Sequence, residues 1–576
     1  MSCHDANARK LLPVIALGLL LGALPVCSQE PSQEVGANQD TVSPFGDIVD
    51  VELVNVEVWV TNRKGEPVTG LTAADFKVLE DGEPVEISYF TAPQLGPAPA
   101  ASQAIAPVEP AVLESSGSTL KEIREVRDPG HLVIYFDETN LSLVSRQRAV
   151  EALREFIREE QLPPEKVMIL RQPDDLLIAA SFESGAEDLD VALANVHDSQ
   201  AKGSIDEKNL ELDNLQRMWD TTRGMMNPCR TFVPMAQHAV KIYGELSRRR
   251  FSETMRHLVT VSSSLASLPG VKTMIIVSDA MEFSPGDDLL EYINFRCPLQ
   301  IQDDPLITLG EDISDNMRSL TRHANANRVT LYTWQAHGIR GNPLGAASTN
   351  TPRIPALGMK MNASARGGLA FLADKTGGRM LNKGQIREDL RTVVEEMTGY
   401  YSLAYVPPHG GDGKEHEITV KMPGARNVQV RHRHGYQSKG ADERMRESLE
   451  GALFFGLVSN PLTARLGAGT IELNEDGRYN VPLYVFVPAE KVVFMPVEEG
   501  EKSRMLVQLV TRNTDNGDIV FNEKPFDSPR PPAGEDLTLA FDVELPEGIH
   551  VVGIALRDEL SRDTSYVATT LQISGL

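Results

Sequence analysis

Five short, unbroken apolar runs constrain this chain most: Leu132 to Phe136, Val167 to Leu170, Leu176 to Ala180, Thr273 to Val277 and Val329 to Thr333. Runs without apolar/polar alternation are what strands covered on both faces require. Helical patterns lie between most of them. The clearest puts Ala149, Val150, Leu153, Phe156 and Ile157 on one stripe of 3.6 periodicity. Strands alternating with helices predict a mainly parallel, doubly wound α/β sheet over residues 128–407. The stretch between the strands near Ile178 and Ile275 is longer than one crossover needs. A helical insertion is therefore expected at about 184–265, with Leu189, Leu193 and Val196 on one of its stripes.

Both flanks read as β structure. Val54, Val56, Val58 and Val60 alternate with polar neighbours, the period-two pattern of a half-buried strand. Phe76 to Glu80, Asp81-Gly82 and Val85 to Phe90 then read as a hairpin. A small β domain is expected over 45–92, followed by an extended Pro/Ala-rich linker over 93–127. Past Pro407 strands return, as a β hairpin extension over 408–440 and a C-terminal β-sandwich over 441–576. With 576 residues, a multidomain chain is the natural expectation.

The first residues suggest export. Arg9-Lys10, an apolar run from Leu11 to about Val26, and the small residues before Gln29 form a signal-peptide pattern, with cleavage expected after Ser28. The rival is lipid anchoring through Cys27; Val26 stands where a smaller residue is normally wanted. No later run approaches the ~18 apolar residues of a membrane span. The protein is thus expected in the periplasm, the outer envelope or the medium. Beyond the export segment the only cysteines are Cys229 and Cys297, which can pair in an oxidising compartment if their Cα atoms lie within ~7 Å.

Charge narrows the partners. Lys plus Arg number 56 and Asp plus Glu 81, a net charge of −25, so nucleic acid and anionic membrane meet a repulsive average field. Neither a Gly-x-Ser-x-Gly elbow, a His-Glu-x-x-His helix nor a phosphate-binding Gly-x-x-x-x-Gly-Lys loop occurs. His432 and His434, two apart on an expected strand, share a face without a third ligand in view. Arg248-Arg249-Arg250 lacks interleaved aromatics and reads as a solvated helix face.

One strand delivers chemistry to its carboxyl end: His131-Leu-Val-Ile-Tyr-Phe-Asp137-Glu-Thr139-Asn140-Leu141-Ser142. Ligands of open α/β sheets bind at such ends. Together with Lys272-Thr-Met-Ile-Ile-Val-Ser278-Asp279, the segment resembles a von Willebrand factor A domain. The wider layout is similar to the VWFA-related proteins described from acidobacteria. The motifs that carry this likeness are Val68-Thr-Gly-Leu-Thr-Ala-Ala-Asp75-Phe76, Glu80-Asp81-Gly82, Leu268-Pro-Gly270-Val-Lys272, Ala373-Asp-Lys-Thr376-Gly377-Gly378, Gly399-Tyr400-Tyr401 and Arg433-His-Gly435-Tyr436. The resemblance implies a degenerate cation site, holding Mg²⁺ or Mn²⁺, built on Asp137, Thr139, Ser142 and Asp279, with an open position for a partner's carboxylate. Leu141 stands where the second hydroxyl of that pattern belongs, and no matching threonine is identified. The competing structural role is helix capping by Asp137, Thr139 and Ser142.

These features lead to the expectation of an exported, non-enzymatic, adhesion-type protein that binds another protein. The alternatives are an envelope or surface spacer with an inactive metal site, and a hydrolase with an unfamiliar site.

Overall fold

The computed structural model describes residues 53–93, 130–160, 162–199, 203–268, 270–298, 307–337, 355–381, 385–455, 459–497, 500–514 and 518–573. The export segment, and the linker beyond Pro93, lie outside these residues. Four strands come first: β1 (Val54–Asn62), β2 (Lys77–Glu80), β3 (Glu83–Val85) and β4 (Tyr89–Thr91). Asp81 and Gly82, both with positive φ, make the two-residue β2–β3 turn.

The doubly wound layer comes next. It runs β5 (His131–Phe136), α1 (Leu143–Glu159), β6 (Val167–Arg171), β7 (Leu177–Ala180), α2 (Ala186–His197), α3 (Ser204–Thr222) and α4 (Pro228–Ser264). It continues with β8 (Lys272–Ser278), α5 (Asp287–Arg296), α6 (Ile307–Ala326), β9 (Val329–Gln335), α7 (Pro355–Lys375), β10 (Met380–Leu381) and α8 (Ile386–Thr398). The sheet order is β10-β9-β8-β5-β6-β7. Every neighbouring pair is parallel except β6 and β7. Chain order runs outward from β5 to one edge and from β8 to the other, so it reverses between these two strands and opens a crevice at their carboxyl ends. On one face α1, α2 and α8 contribute Leu153, Leu193 and Val393 to the core; on the other α4, α6 and α7 contribute Leu258, Met317 and Leu369.

Two sequence expectations change here. Leu177 and Ile178 are exposed, because β7 is an antiparallel edge strand and not a strand covered on both faces. Leu189, Leu193 and Val196 are buried against the sheet, so α2 belongs to the doubly wound layer and the insertion is narrower than 184–265. Its separate core joins α3, the first half of α4 and α5 through residues such as Leu215, Phe232, Val240 and Tyr292.

The chain next forms β11 (Tyr401–Tyr405), β12 (Glu415–Lys421), β13 (Val428–His432) and β14 (Gly435–Gln437). These do not stand apart from the N-terminal strands. The sheets are β13-β1-β11-β4 and β14-β12-β2-β3, with Val56, Val58, Val78, Leu403 and Ile418 in one core between them. The expected small domain over 45–92 and hairpin extension over 408–440 are therefore one two-sheet unit whose halves are separated by the whole doubly wound layer. β1 is central and needs a partner on each edge, which only the distant β11 and β13 supply. The second face of β1 is buried too. Trp59 Nε1 donates to the Glu396 carbonyl at 2.9 Å, and Arg328 pairs with the buried Glu57. Arg433 donates to the carbonyls of Asn325 (2.6 Å) and Asn55 (2.5 Å), which tethers the two-sheet unit to the end of α6.

The C-terminal region begins with α9 (Ala441–Phe455), absent from the sequence expectation although Met445, Leu449 and Ala452 share a helical face. It then forms β15 (Arg465–Ala468), β16 (Glu472–Leu473), β17 (Tyr479–Pro488), β18 (Met495–Val497), β19 (Gly500–Asn513), β20 (Ile519–Pro529), β21 (Asp536–Leu545), β22 (Gly548–Asp558) and β23 (Thr564–Ile573). Two antiparallel sheets share a core of alternating residues, among them Val481, Leu483 and Val485 of β17 and Val552, Ile554 and Leu556 of β22. Helix α9 packs on the outer face of β19, β22 and β23 and against α4.

Candidate functional site

Asp137 and Asp279 come directly after β5 and β8, so the strand-order reversal places both carboxylates in the same crevice. Each is 0% exposed. Asp137 Oδ1 accepts from the Thr139 hydroxyl at 2.8 Å, while Oδ2 accepts from Asn140 Nδ2 at 2.8 Å and the Ser278 hydroxyl at 2.8 Å. Asp279 Oδ2 accepts the Ser142 N–H at 2.9 Å, tying the end of β8 to the start of α1. Burial pushes both carboxyls above their ordinary pKa, against the hydrogen bonds they accept.

The sequence-predicted residues thus converge with divided roles. Ser142 is the N-cap of α1 and accepts the Ser145 N–H at 3.3 Å. Asp137 and Thr139 do not cap that helix; they close a tight turn over residues 138–140. Leu141 is 0% exposed and belongs to the sheet's core. Glu138, which carries no motif of its own in the sequence, is fully buried and pairs with Arg171 at 2.7 Å and Arg146 at 3.3 Å.

These residues do not complete a site for Mg²⁺ or Mn²⁺, which want near-octahedral oxygen donors with exchangeable positions. Both Asp137 oxygens are engaged by side-chain donors, and an apolar side chain replaces the second hydroxyl. The single orphan is Asp279 Oδ1, without a hydrogen-bond partner among the described residues. No step through a cation is drawn at this crevice.

The insertion covers it. Gly203, at the head of α3, approaches so closely that an added Cβ would lie 2.5 Å from the Leu141 carbonyl oxygen. One turn on, Lys208 pairs with Asp288 at 2.8 Å and with Glu282, all three buried. Burial opposes the Lys208 charge, but the Asp288 and Glu282 carboxylates outweigh it and hold its pKa well above the usual value. Burial likewise moves Glu282 up to about 7, against the pull of Lys208. Beside Asn140 and Lys208 remains a cavity of about 40 Å³, lined also by Tyr243, Phe251 and Met281. That is room for a few waters, not for an organic substrate.

Other sequence candidates also find their places. Cys229 and Cys297 form a disulfide, with Cα atoms 5.7 Å apart, that closes α5 onto the start of α4. His432 has both ring nitrogens engaged, by the Val420 N–H at 3.2 Å and the Arg433 carbonyl at 2.8 Å, so it is not available with His434 as a metal pair. Gly377-Gly378 is a packing turn: a Cβ on Gly378 would lie 2.0 Å from the Leu331 oxygen.

Unforeseen from sequence is a second group, in which Glu80, His409 and His416 bring one potential ligand atom each to within 4.8 Å of one another. It lies in the two-sheet unit, away from the Asp137 crevice.

No family model matches this chain, and no curated protein matches it. Among solved structures, the crystal structure of Bacteroides uniformis beta-glucuronidase is similar over 30% of this chain and 19% of that one, at 11% identity. The TM-score is 0.14, too low to carry an argument about fold or activity, and the chain spans less than a fifth of that enzyme's length.

Proposed function

We propose that this chain is an exported, non-enzymatic protein-binding protein. Its doubly wound layer is of the von Willebrand A type, and its helical insertion, not a cation, carries the recognition surface. The observation behind this is the covered crevice: α3 sits where a partner's carboxylate would have to enter, and the insertion turns apolar side chains outward. Met226, in the turn before α4, is 98% exposed with Met225 exposed beside it, and Met235, Ile242 and Leu246 are exposed along α4. Methionine-rich surfaces adapt to partner side chains, and exposed apolar patches mark interaction sites. The strand order and the aspartates after β5 and β8 support the A-type assignment. The Cys229–Cys297 bond supports an oxidising compartment. Among the described residues no helix is long and apolar enough to cross a membrane.

The test compares variants in capture from envelope extract by the immobilised protein. A partner held by the wild type and by Asp137→Ala, but lost by a Met226→Asp/Met235→Asp variant of unchanged melting temperature, supports the proposal. Loss with Asp137→Ala alone returns recognition to the crevice and overturns it. Leu141 in the core favours a second reading, a spacer with an inactive site; that reading predicts no partner affected by either variant.

A further inference from the structure

The end of β2 with its turn, and the loop between β11 and β12 with the start of β12, bring two histidines and three carboxylates together. The rings of His409 and His416 stack with centroids 3.7 Å apart and planes at 16°. Each ring turns one nitrogen toward its own carboxylate. His409 Nε2 lies 2.7 Å from Glu80 Oε1, and His416 Nδ1 lies 2.8 Å from Asp81 Oδ2. These carboxylates are themselves fixed: Glu80 Oε2 accepts the Tyr436 hydroxyl at 3.2 Å, and Asp81 Oδ1 accepts the Glu417 N–H at 2.8 Å. As acceptors they hold the imidazole protons on those two nitrogens.

With both rings neutral, the opposite nitrogens carry lone pairs and face one oxygen; the proton that His416 Nε2 shares with Asp412 leaves when an ion is taken up. Asp412 Oδ1 is 3.2 Å from His416 Nε2 and 3.9 Å from His409 Nδ1. His409 Nδ1 is buried without a hydrogen-bond partner among the described residues. Asp412 Oδ1 also accepts the Lys414 N–H at 3.0 Å, which holds this carboxylate facing the two rings, and a small cation among the three replaces the repulsion between their lone pairs with attraction. A carboxylate behind each ligating imidazole is also the outer arrangement that fixes the ring and raises its basicity in metal sites.

We propose that His409 Nδ1, Asp412 Oδ1 and His416 Nε2 bind one divalent transition-metal ion of the zinc class, with Glu80 and Asp81 orienting the imidazoles from behind. Two imidazoles and one carboxylate suit zinc and its neighbours in the first transition row, and not Mg²⁺ or Ca²⁺, which take all-oxygen sets. The set leaves a fourth position for water or a ligand. Because the rings are stacked, their lone pairs run side by side, and ion capture requires one ring to turn until both converge. His409 is the ring that turns: it sits in the loop, whereas His416 is anchored on β12. The loop is pinned beyond it, where the Gly413 N–H donates to the Ser438 carbonyl at 2.7 Å.

The experiment is equilibrium dialysis of the untagged, metal-stripped full chain against Zn²⁺, with Mg²⁺ in excess. Melting curves with and without Zn²⁺ and the visible spectrum of the Co²⁺ form accompany it. The expected result is one Zn²⁺ per chain, a raised melting temperature and Co²⁺ bands of low-coordinate type. His416→Ala and Asp412→Asn should each abolish the spectrum. Glu80→Gln, which changes only the orienting carboxylate, should weaken binding about tenfold or more. Asp412 is partly exposed, so its variant reports on binding even where His416→Ala impairs folding. No bound Zn²⁺ in the wild type, or equally tight Zn²⁺ in both ligand variants, overturns the site.

Discussion

Lys208 Nζ donates to Asp288 Oδ2 at 2.8 Å, with side chains 5% and 1% exposed, and so joins α3 of the insertion to the first turn of α5. Glu282, just beyond the end of β8, shares the same ammonium. One cation therefore fastens the cover over the Asp137 crevice.

Removing that cation strands two buried carboxylates. Lys208→Met should cost roughly 3–5 kcal/mol, the usual penalty for breaking a buried ion pair on one side. The folded pKa of Glu282, about 7, lies above its unfolded value. Its contribution is therefore fully present below the unfolded pKa and is lost as pH rises through 7. The loss caused by Lys208→Met should be smaller at pH 5, where Glu282 can take a proton, than at pH 8. Urea unfolding of both proteins at the two pH values checks this, and an equal loss at both would remove the electrostatic account.

Lys272 presents the opposite sign. Burial, and then the neighbouring Arg328, depress it to about 7, while Glu57 pulls the other way and Arg433 adds to the depression. A base depressed from 10.5 to about 7 adds stability that is complete above the unfolded pKa and is lost as pH falls through 7. Lys272→Met should therefore be more stable than the wild type at pH 7, by about 1 kcal/mol or more, with the gap closing toward pH 10. Denaturant midpoints of both proteins across that range decide the matter. A variant less stable at pH 7 would mean that the Lys272 donation to the Leu268 carbonyl outweighs the buried charge.

The Cys229–Cys297 bond closes a loop with a sequence separation of 68. In the chain-entropy account, losing it costs roughly 4 kcal/mol. Cys297 is fully buried in the insertion's own core, so the effect should be local. Hydrogen exchange on a Cys229→Ser/Cys297→Ser variant is expected to rise in α3, α5 and the first half of α4 and to stay unchanged in β5 and β8. Uniformly faster exchange would show that the insertion and the sheet unfold together.

Much of the fold is legible because strands covered on both faces leave unbroken apolar runs. β5, β6, β8 and β9 are all visible in this way, as are the alternating strands β17 and β22 near the C-terminus. β7 is misleading because an exposed edge strand and a buried one can share the sequence Leu-Ile-Ala-Ala. Helix α9 leaves its signal in Met445, Leu449 and Ala452, but a single helix is easily lost among so many strands. The crevice residues Asp137, Thr139, Ser142 and Asp279 are grouped in the sequence only through the resemblance; the reversal of strand order between β5 and β8 is what brings them to one crevice.

What the chain's own order of residues determined is local: the apolar periods that make each element, the turn at Asp81-Gly82, and the acids that end β5 and β8. Tertiary structure alone decided what covers and completes them. β1 acquired its sheet partners, and His409 its carboxylate at Glu80, from segments more than 300 residues away. Gly203 and Lys208 shut the Asp137 crevice from an insertion with a separate core. Such contacts are chosen by burial and charge compensation between distant segments, and these leave no period in the sequence to be read.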